Sequence, residues 1–224
     1  DAGLIVPVLV GPEAVIRAVA ERHGLDLSAA AIVQAADEAA AAAASVALVR
    51  DGQAEALMKG NLHSDILLGE VVRRDSGLRA GRKVSHVFIM HIPGRESPLL
   101  VTDAAVLMYP TLDEKVDIAQ NAIDLAHVLG IDVPRVAVLS AVETVSARIP
   151  STLDAASLTV MAARGQIRGA VVDGPLAFDN AVDPEAARIK GIVSPVAGRA
   201  QILVAPDLEA GNMLAKNLSF LSNA

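Results

Sequence analysis

Apolar residues in this chain fall into short runs that alternate with longer stretches of helical periodicity. Leu4-Ile-Val-Pro-Val-Leu-Val10 reads as a strand stopped by Gly11-Pro12, and Glu13 to His23 reads as a helix closed by Gly24. A short strand near Ile32, an Ala-rich helix, a short strand over Ala56 to Met58 and a helix from Leu62 to Arg74 follow. Val84 to His91 and Leu99 to Thr102 are two strands joined through Pro93-Gly94, which predicts an antiparallel hairpin. The helix from Leu112 to Leu129 begins after Pro110-Thr111 and ends at Gly130.

Beyond that glycine the pattern repeats. Arg135 to Leu139 is a strand, Ser151 to Arg164 a helix with Ser151 as its N-cap, and Ala170 to Val172 a strand. A helix over Pro184 to Lys190, a strand over Ile202 to Val204 and a helix from Gly211 to Leu221 complete the series. Strands alternating with helices predict βαβ crossovers and a mostly parallel α/β sheet. Gly130-Ile-Asp-Val-Pro134 is the expected boundary, giving one α/β lobe over 1–130 and a second over 131–224, with a cleft between lobes as the natural site.

Composition narrows the functional classes. Hydrophobic residues make up 53% and aromatics only 2%, so the core is Ala, Val, Leu and Ile, and the composition argues against an aromatic platform for single-stranded nucleic acid. A net charge of −7 disfavours nonspecific binding to nucleic acid or to an anionic membrane. The longest apolar run, Ala39 to Val49, is well short of the roughly 20 residues that span a bilayer. There are no cysteines, hence no disulfide, thiolate metal site or cysteine nucleophile, which fits a cytoplasmic enzyme. The phosphate-loop, dinucleotide, nucleophile-elbow and zincin motifs are absent as well.

Several apolar runs end abruptly in polar or turn-forming residues, as strand ends do where α/β sheets bind ligands. They are Thr102-Asp103, Asp173-Gly-Pro175 continuing to Asp179-Asn180, and Asp207-Leu-Glu-Ala-Gly-Asn212. Asp103, Asp173, Asp179 and Asp207 have two readings: a divalent-metal or general-base cluster, or carboxylates that cap neighbouring turns. Met58-Lys-Gly-Asn-Leu-His63-Ser64-Asp65 enters a helix whose N-terminus could receive an anion, or is an ordinary capped loop. Ser140-Ala-Val-Glu-Thr144, with Ser146, Arg148, Ser151 and Thr152 beyond it, offers hydroxyl and guanidinium donors suited to phosphate, or is a capping loop. Ser85, His86 and His91 lie in a β pattern and read as sheet residues.

Ordered blocks over practically the whole chain resemble the phosphate acetyl/butyryltransferase family: Ala56-Leu-Met-Lys-Gly-Asn-Leu-His-Ser64, Ser85-His-Val-Phe-Ile-Met90, Tyr109-Pro-Thr-Leu-Asp-Glu-Lys115, Val138-Leu-Ser-Ala-Val-Glu-Thr144, Asp173-Gly-Pro-Leu-Ala-Phe-Asp-Asn180, Ser194-Pro-Val-Ala-Gly198 and Pro206-Asp-Leu-Glu-Ala-Gly-Asn212. Ala-Val-Glu-Thr after Ser140 is similar to the short branch that holds butyryltransferases and the transferase part of hydratase fusions. The resemblance implies two α/β/α lobes of isocitrate/isopropylmalate dehydrogenase-like architecture, the first completed by a C-terminal segment. It further implies the reaction acyl-CoA + phosphate ⇌ acyl phosphate + CoA, by direct attack in a ternary complex. CoA and phosphate enter as substrates, with no permanently bound cofactor and no metal.

The implied substrate-binding residues are His63, Ser64, Thr102, Asp103, Ser140, Thr144, Asp173, Pro175, Asp179 and Asn212. The family's catalytic Ser-Arg pair and Asp are expected beyond Ala224, and the N-terminus is short by a family helix. Family members carry an Arg and a Lys where this chain has Leu68 or Gly69 and Glu143 or Thr144, with Arg73, Arg74 or Arg148 as substitutes. A cytoplasmic homodimer or higher homo-oligomer acting on small molecules is expected. Two other readings are weighed: a non-catalytic acyl-CoA-binding module of a larger fusion, and a metal-dependent decarboxylating dehydrogenase, which the motif blocks oppose.

Overall fold

The computed structural model describes residues 3–222. The chain divides into two compact units, 1–82 and 83–224. The expected boundary at residue 130 is therefore not where the units part. The physical reason is the hairpin: the strands over 87–90 and 99–102 pair into the same sheet as those that follow residue 130.

In the first unit, β1 (Val8–Gly11) and β2 (Ala31–Gln34) pair in parallel, with α1 (Glu13–His23) as their connection. Pro12 precedes α1, and Gly24, at φ 65°, ends it in the left-handed conformation that glycine adopts without strain. β1 begins at Val8 and not at Leu4: Pro7 has no N–H to give a ladder, and Leu4 to Val6 are exposed. The Ala-rich run forms α2 (Glu38–Arg50), capped by Asp37, whose carboxylate accepts from Ala40 N at 2.8 Å. α3 spans Ser64–Val72. The segment 56–58 is not a strand; Met58 is exposed and has no sheet partner.

The second unit is a five-stranded sheet of order β3-β4-β7-β5-β6, built from β3 (Val87–Met90), β4 (Leu99–Thr102), β5 (Arg135–Leu139), β6 (Val171–Leu176) and β7 (Ile202–Val204). Only the edge strand β3 runs antiparallel; the other pairings are parallel. Successive side chains of a strand point to opposite faces, and both faces here are apolar. Leu99, Val101, Ala137 and Leu203 pack on one side with Ala181 of α6 (Phe178–Val182), Ala187 of α7 (Pro184–Ile189) and Leu218 of α8 (Leu208–Leu221). Leu100, Val136, Val138 and Ile202 pack on the other with Ile118 and Ala122 of α4 (Leu112–Val128) and Leu158 of α5 (Pro150–Ala163). This α/β/α layering explains the unbroken apolar runs of the central strands.

Two sequence expectations change in detail. The N-cap of α5 is Ile149, with Pro150 at the first helical position, where its fixed φ suits the helix and its missing N–H costs nothing. Ser151 therefore lies inside the first turn. The five-residue α6 falls where the sequence predicts only a loop, being too short to show a helical period.

Candidate active site

Because four strands run in parallel, Thr102, Val204, Leu139 and Leu176 end at one edge of the second unit's sheet. At β4, Thr102 is fully buried; its hydroxyl donates to the His86 carbonyl at 2.7 Å. Asp103 is 2% exposed, and its carboxylate accepts from the N–H groups of Ala105, Val106 and Leu107 at 2.9, 3.1 and 3.0 Å. It thus closes the turn after β4 as an acceptor for three backbone donors.

The α8 helix meets this turn from the β7 side. Asp207 caps it, accepting from Ala210 N at 2.9 Å, and Asn212 Nδ2 donates to the Ala104 carbonyl at 2.9 Å. Gly211 lets the helix come this close: a Cβ there would overlap the Asp103 carbonyl oxygen. Thr102, Asp103 and Asn212 thus belong to one rigid wall.

At β5, the Ser140 N–H donates to the Leu176 carbonyl at 2.9 Å, tying the loop to the end of β6. The Ser140 and Ser151 hydroxyls are 2.8 Å apart, and no side chain caps the start of α5. Thr152, fully buried, accepts from Ser146 N at 2.9 Å and donates to the Ile149 carbonyl at 2.7 Å. Thr144 and Arg148 are exposed on the same loop. A pair of hydroxyls beside an uncapped helix start, with the positive end of the helix dipole behind them, is chemistry for an anion.

At β6, Gly174 permits the close passage of β5, since a Cβ would stand 2.7 Å from the Val138 carbonyl oxygen. Asp173 accepts from the Gly174 N–H at 2.9 Å, and Pro175 is buried at a register shift between β5 and β6. Asp179 is exposed and pairs with Lys190 at 3.7 Å. Lys190 also reaches Glu143 at 3.2 Å. No sequence motif marks Lys190, because its partner is 47 residues away.

In the first unit, His63 is the N-cap of α3 but makes no side-chain cap bond, and its backbone N–H donates to Glu38 at 3.3 Å. Lys59 turns back on its own loop, donating to the carbonyls of Gly60 and Leu62 at 3.2 and 3.0 Å. His63 and Ser64 are both exposed. Of the four aspartates considered as a metal cluster, Asp103 and Asp207 hold backbone N–H groups, Asp173 holds its neighbour's, and Asp179 faces an ammonium. Among the described residues no group of three or more His, Asp or Glu side chains is placed to hold a metal ion, and no helix is long and apolar enough to cross a membrane.

Comparison with known proteins identifies the family. Residues 38–224 match the family model described as phosphate acetyl/butaryl transferase. The chain is 61% identical, over its entire length, to a phosphate acetyltransferase of Rhizobium meliloti, of which it covers 71%. It is 52% identical over 99% of its length to a phosphate acetyltransferase of Rickettsia prowazekii, and spans 63% of that protein. The crystal structure of a branched-chain phosphotransacylase from Enterococcus faecalis V583 superposes with a TM-score of 0.82 at 29% identity, covering 98% of this chain and 86% of that one. The chain belongs to the phosphate acetyl/butyryl transferase family, and is thereby placed among the acyltransferases that act on small-molecule substrates.

Proposed function

We propose that this chain carries the phosphate-binding part of an acyl-CoA:phosphate acyltransferase, in which a short acyl group passes between coenzyme A and inorganic phosphate by direct attack in a ternary complex. The observation that carries this reading is the Ser140–Ser151 hydroxyl pair at the uncapped start of α5. Phosphate binds best where hydroxyl and backbone donors meet a helix N-terminus. Ser140 and Thr144 are the direct phosphate contacts in this scheme, with Asp173, Pro175 and Asp179 lining the neighbouring strand end. Thr102, Asp103 and Asn212 build the wall, and His63 and Ser64 are further substrate contacts on the first unit.

In the forward direction a phosphate oxygen attacks the thioester carbonyl carbon; the C–O bond forms, the C–S bond breaks, and CoA leaves as a thiolate that takes up a proton. In reverse the thiol surrenders that proton before it attacks. Family resemblance assigns the proton transfer to an Asp, and the orientation of the thiol to a Ser-Arg pair, in sequence beyond Ala224. CoA and phosphate act as substrates and not as resident cofactors, without metal, in the cytoplasm, on a homodimer or higher homo-oligomer of isocitrate/isopropylmalate dehydrogenase-like architecture.

The test is phosphate-dependent release of CoA from acetyl-, propionyl- and butyryl-CoA, followed with a thiol reagent, for this chain and for one extended at both ends. Activity in the extended form, unchanged by a metal chelator, is expected. CoA binding without phosphate-dependent release in either form would sink the transferase reading and leave an acyl-CoA-binding module. In the active form Ser140→Ala raises the KM for phosphate by about tenfold, the effect of one hydrogen bond to a charged group.

A further inference from the structure

We infer that Lys190 is a positioning residue for the phosphate-binding loop: by bridging Glu143 and Asp179 it fixes where Thr144 stands. This rests on the reading of that loop given above. Residues 140–149 are held firmly at their two ends. Ser140 is tied to Leu176 and Ser151, and Ser146 to Thr152. Among the described residues, the stretch 141–145 between those anchors makes one hydrogen bond, from Lys190 Nζ to Glu143 Oε2 at 3.2 Å. Thr144 adjoins Glu143, so the ammonium ties down the residue next to the exposed hydroxyl that is to meet phosphate.

The base from which Lys190 reaches out is itself well held. Lys190 is the C-cap of α7, its N–H bonded to the Ala186 carbonyl at 3.2 Å. Asp183 caps the start of that helix, and Ala187 is buried in the core. On its other side, at 3.7 Å, lies the Asp179 carboxylate of α6. The ammonium therefore joins the segments that follow two neighbouring strands, β5 and β6. Removing it has two effects of the same sign. The loop loses its middle tie, and the Glu143 and Asp179 carboxylates lose the cation they share, which makes the loop more negative toward an incoming anion.

The side chains of Lys190 and Glu143 are 36% and 30% exposed, so the bridge belongs with partly screened ion pairs, and its expected effect is modest. In the active full-length protein, Lys190→Met is expected to raise the KM for phosphate about fivefold with kcat changed much less, and Lys190→Arg to restore it. Because both changes remove one interaction, Glu143→Ala with Lys190→Met should be no worse than Lys190→Met alone. Backbone order parameters from NMR relaxation over 141–145 supply a readout independent of activity, lower in Lys190→Met than in the wild type while those of β5 are unchanged. Equal order parameters over 141–145 would overturn the inference, as would lower ones with an unaltered KM in an active enzyme. A wild type that shows the tie but no phosphate-dependent CoA release would remove the reading of the loop, and with it the purpose assigned to Lys190.

Discussion

Asp103 shows how a residue can sit at the expected place and do a different kind of work. Its two oxygens are occupied by three backbone N–H groups, so its carboxylate organises the turn and is not directed at a substrate proton. Asp103→Ala leaves those donors without their acceptor in a buried turn and is expected to cost about 2 kcal/mol in urea unfolding, with Asp103→Asn costing less because one acceptor oxygen remains. Gly211 gives a second residue-level prediction. Any Cβ there strikes the Asp103 carbonyl, so Gly211→Ala destabilises by about 2 kcal/mol as α8 is pushed off the turn. Both positions were legible in the sequence as places of interest, because Asp, Gly and Asn close strand ends. For Asp103 the sequence left turn capping and substrate chemistry both open, since which backbone groups a carboxylate meets depends on the fold of the turn. Lys190 was illegible altogether: a lysine at a helix end looks like any solvated cation until its distant partner is known.

Helices were legible where caps and period agreed. α1 and the strands β5 and β7 fall where the sequence predicts them, and α2 matches the Ala-rich run. The α4 helix begins with a full capping box, Thr111 accepting from Glu114 N and Glu114 accepting from Thr111 N. The Thr111 backbone N–H, then its hydroxyl, hold the Glu114 carboxyl below its ordinary value of 4.5. With a depressed acid, the stabilisation is fully present above the unfolded value and is lost as pH falls through the folded one. Glu114→Gln is therefore expected to lower stability near neutrality and to reduce the further loss on acidification below pH 4.5, so that variant and wild type converge at low pH, as thermal melts across that range will show. Farther along α4, Lys115 is 4% exposed and pairs with Asp154 of α5 at 2.7 Å. Asp154→Ala strands the ammonium in the core and costs about 3 kcal/mol, whereas Lys115→Met with Asp154→Leu restores most of the loss.

At the scale of the molecule, the two units differ in how much they can bury. Both apolar clusters belong to residues 83–224, while the buried hydrophobics of the first unit are Ala20, Ala35, Ala42 and Val46 among the described residues. Residues 83–224 expressed alone should unfold cooperatively in denaturant, and residues 1–82 alone should not; a sharp transition in the shorter piece would show that its sheet is sufficient to itself. The misplaced boundary at residue 130 has the same root. Turn residues mark where the chain changes direction, but only strand pairing decides which sheet a strand joins, and β4, with β3 beside it, is claimed by β7, Leu100 pairing with Ile202, a separation invisible to any local pattern.

The sheet with two greasy faces has one more consequence. In a half-wet sheet, slipping a strand by one residue turns its oily side to water, so burial itself guards the alignment. In β4 all four residues are buried and either face would accept them, so a slipped strand would look nearly as comfortable to the solvent. What locks the alignment is found at the strand's end, in the fit of the Asp103 turn against Gly211. Those end fittings act as the ratchet pawl of the sheet, and mutations there should trap misaligned, still compact chains during refolding well before the core itself gives way.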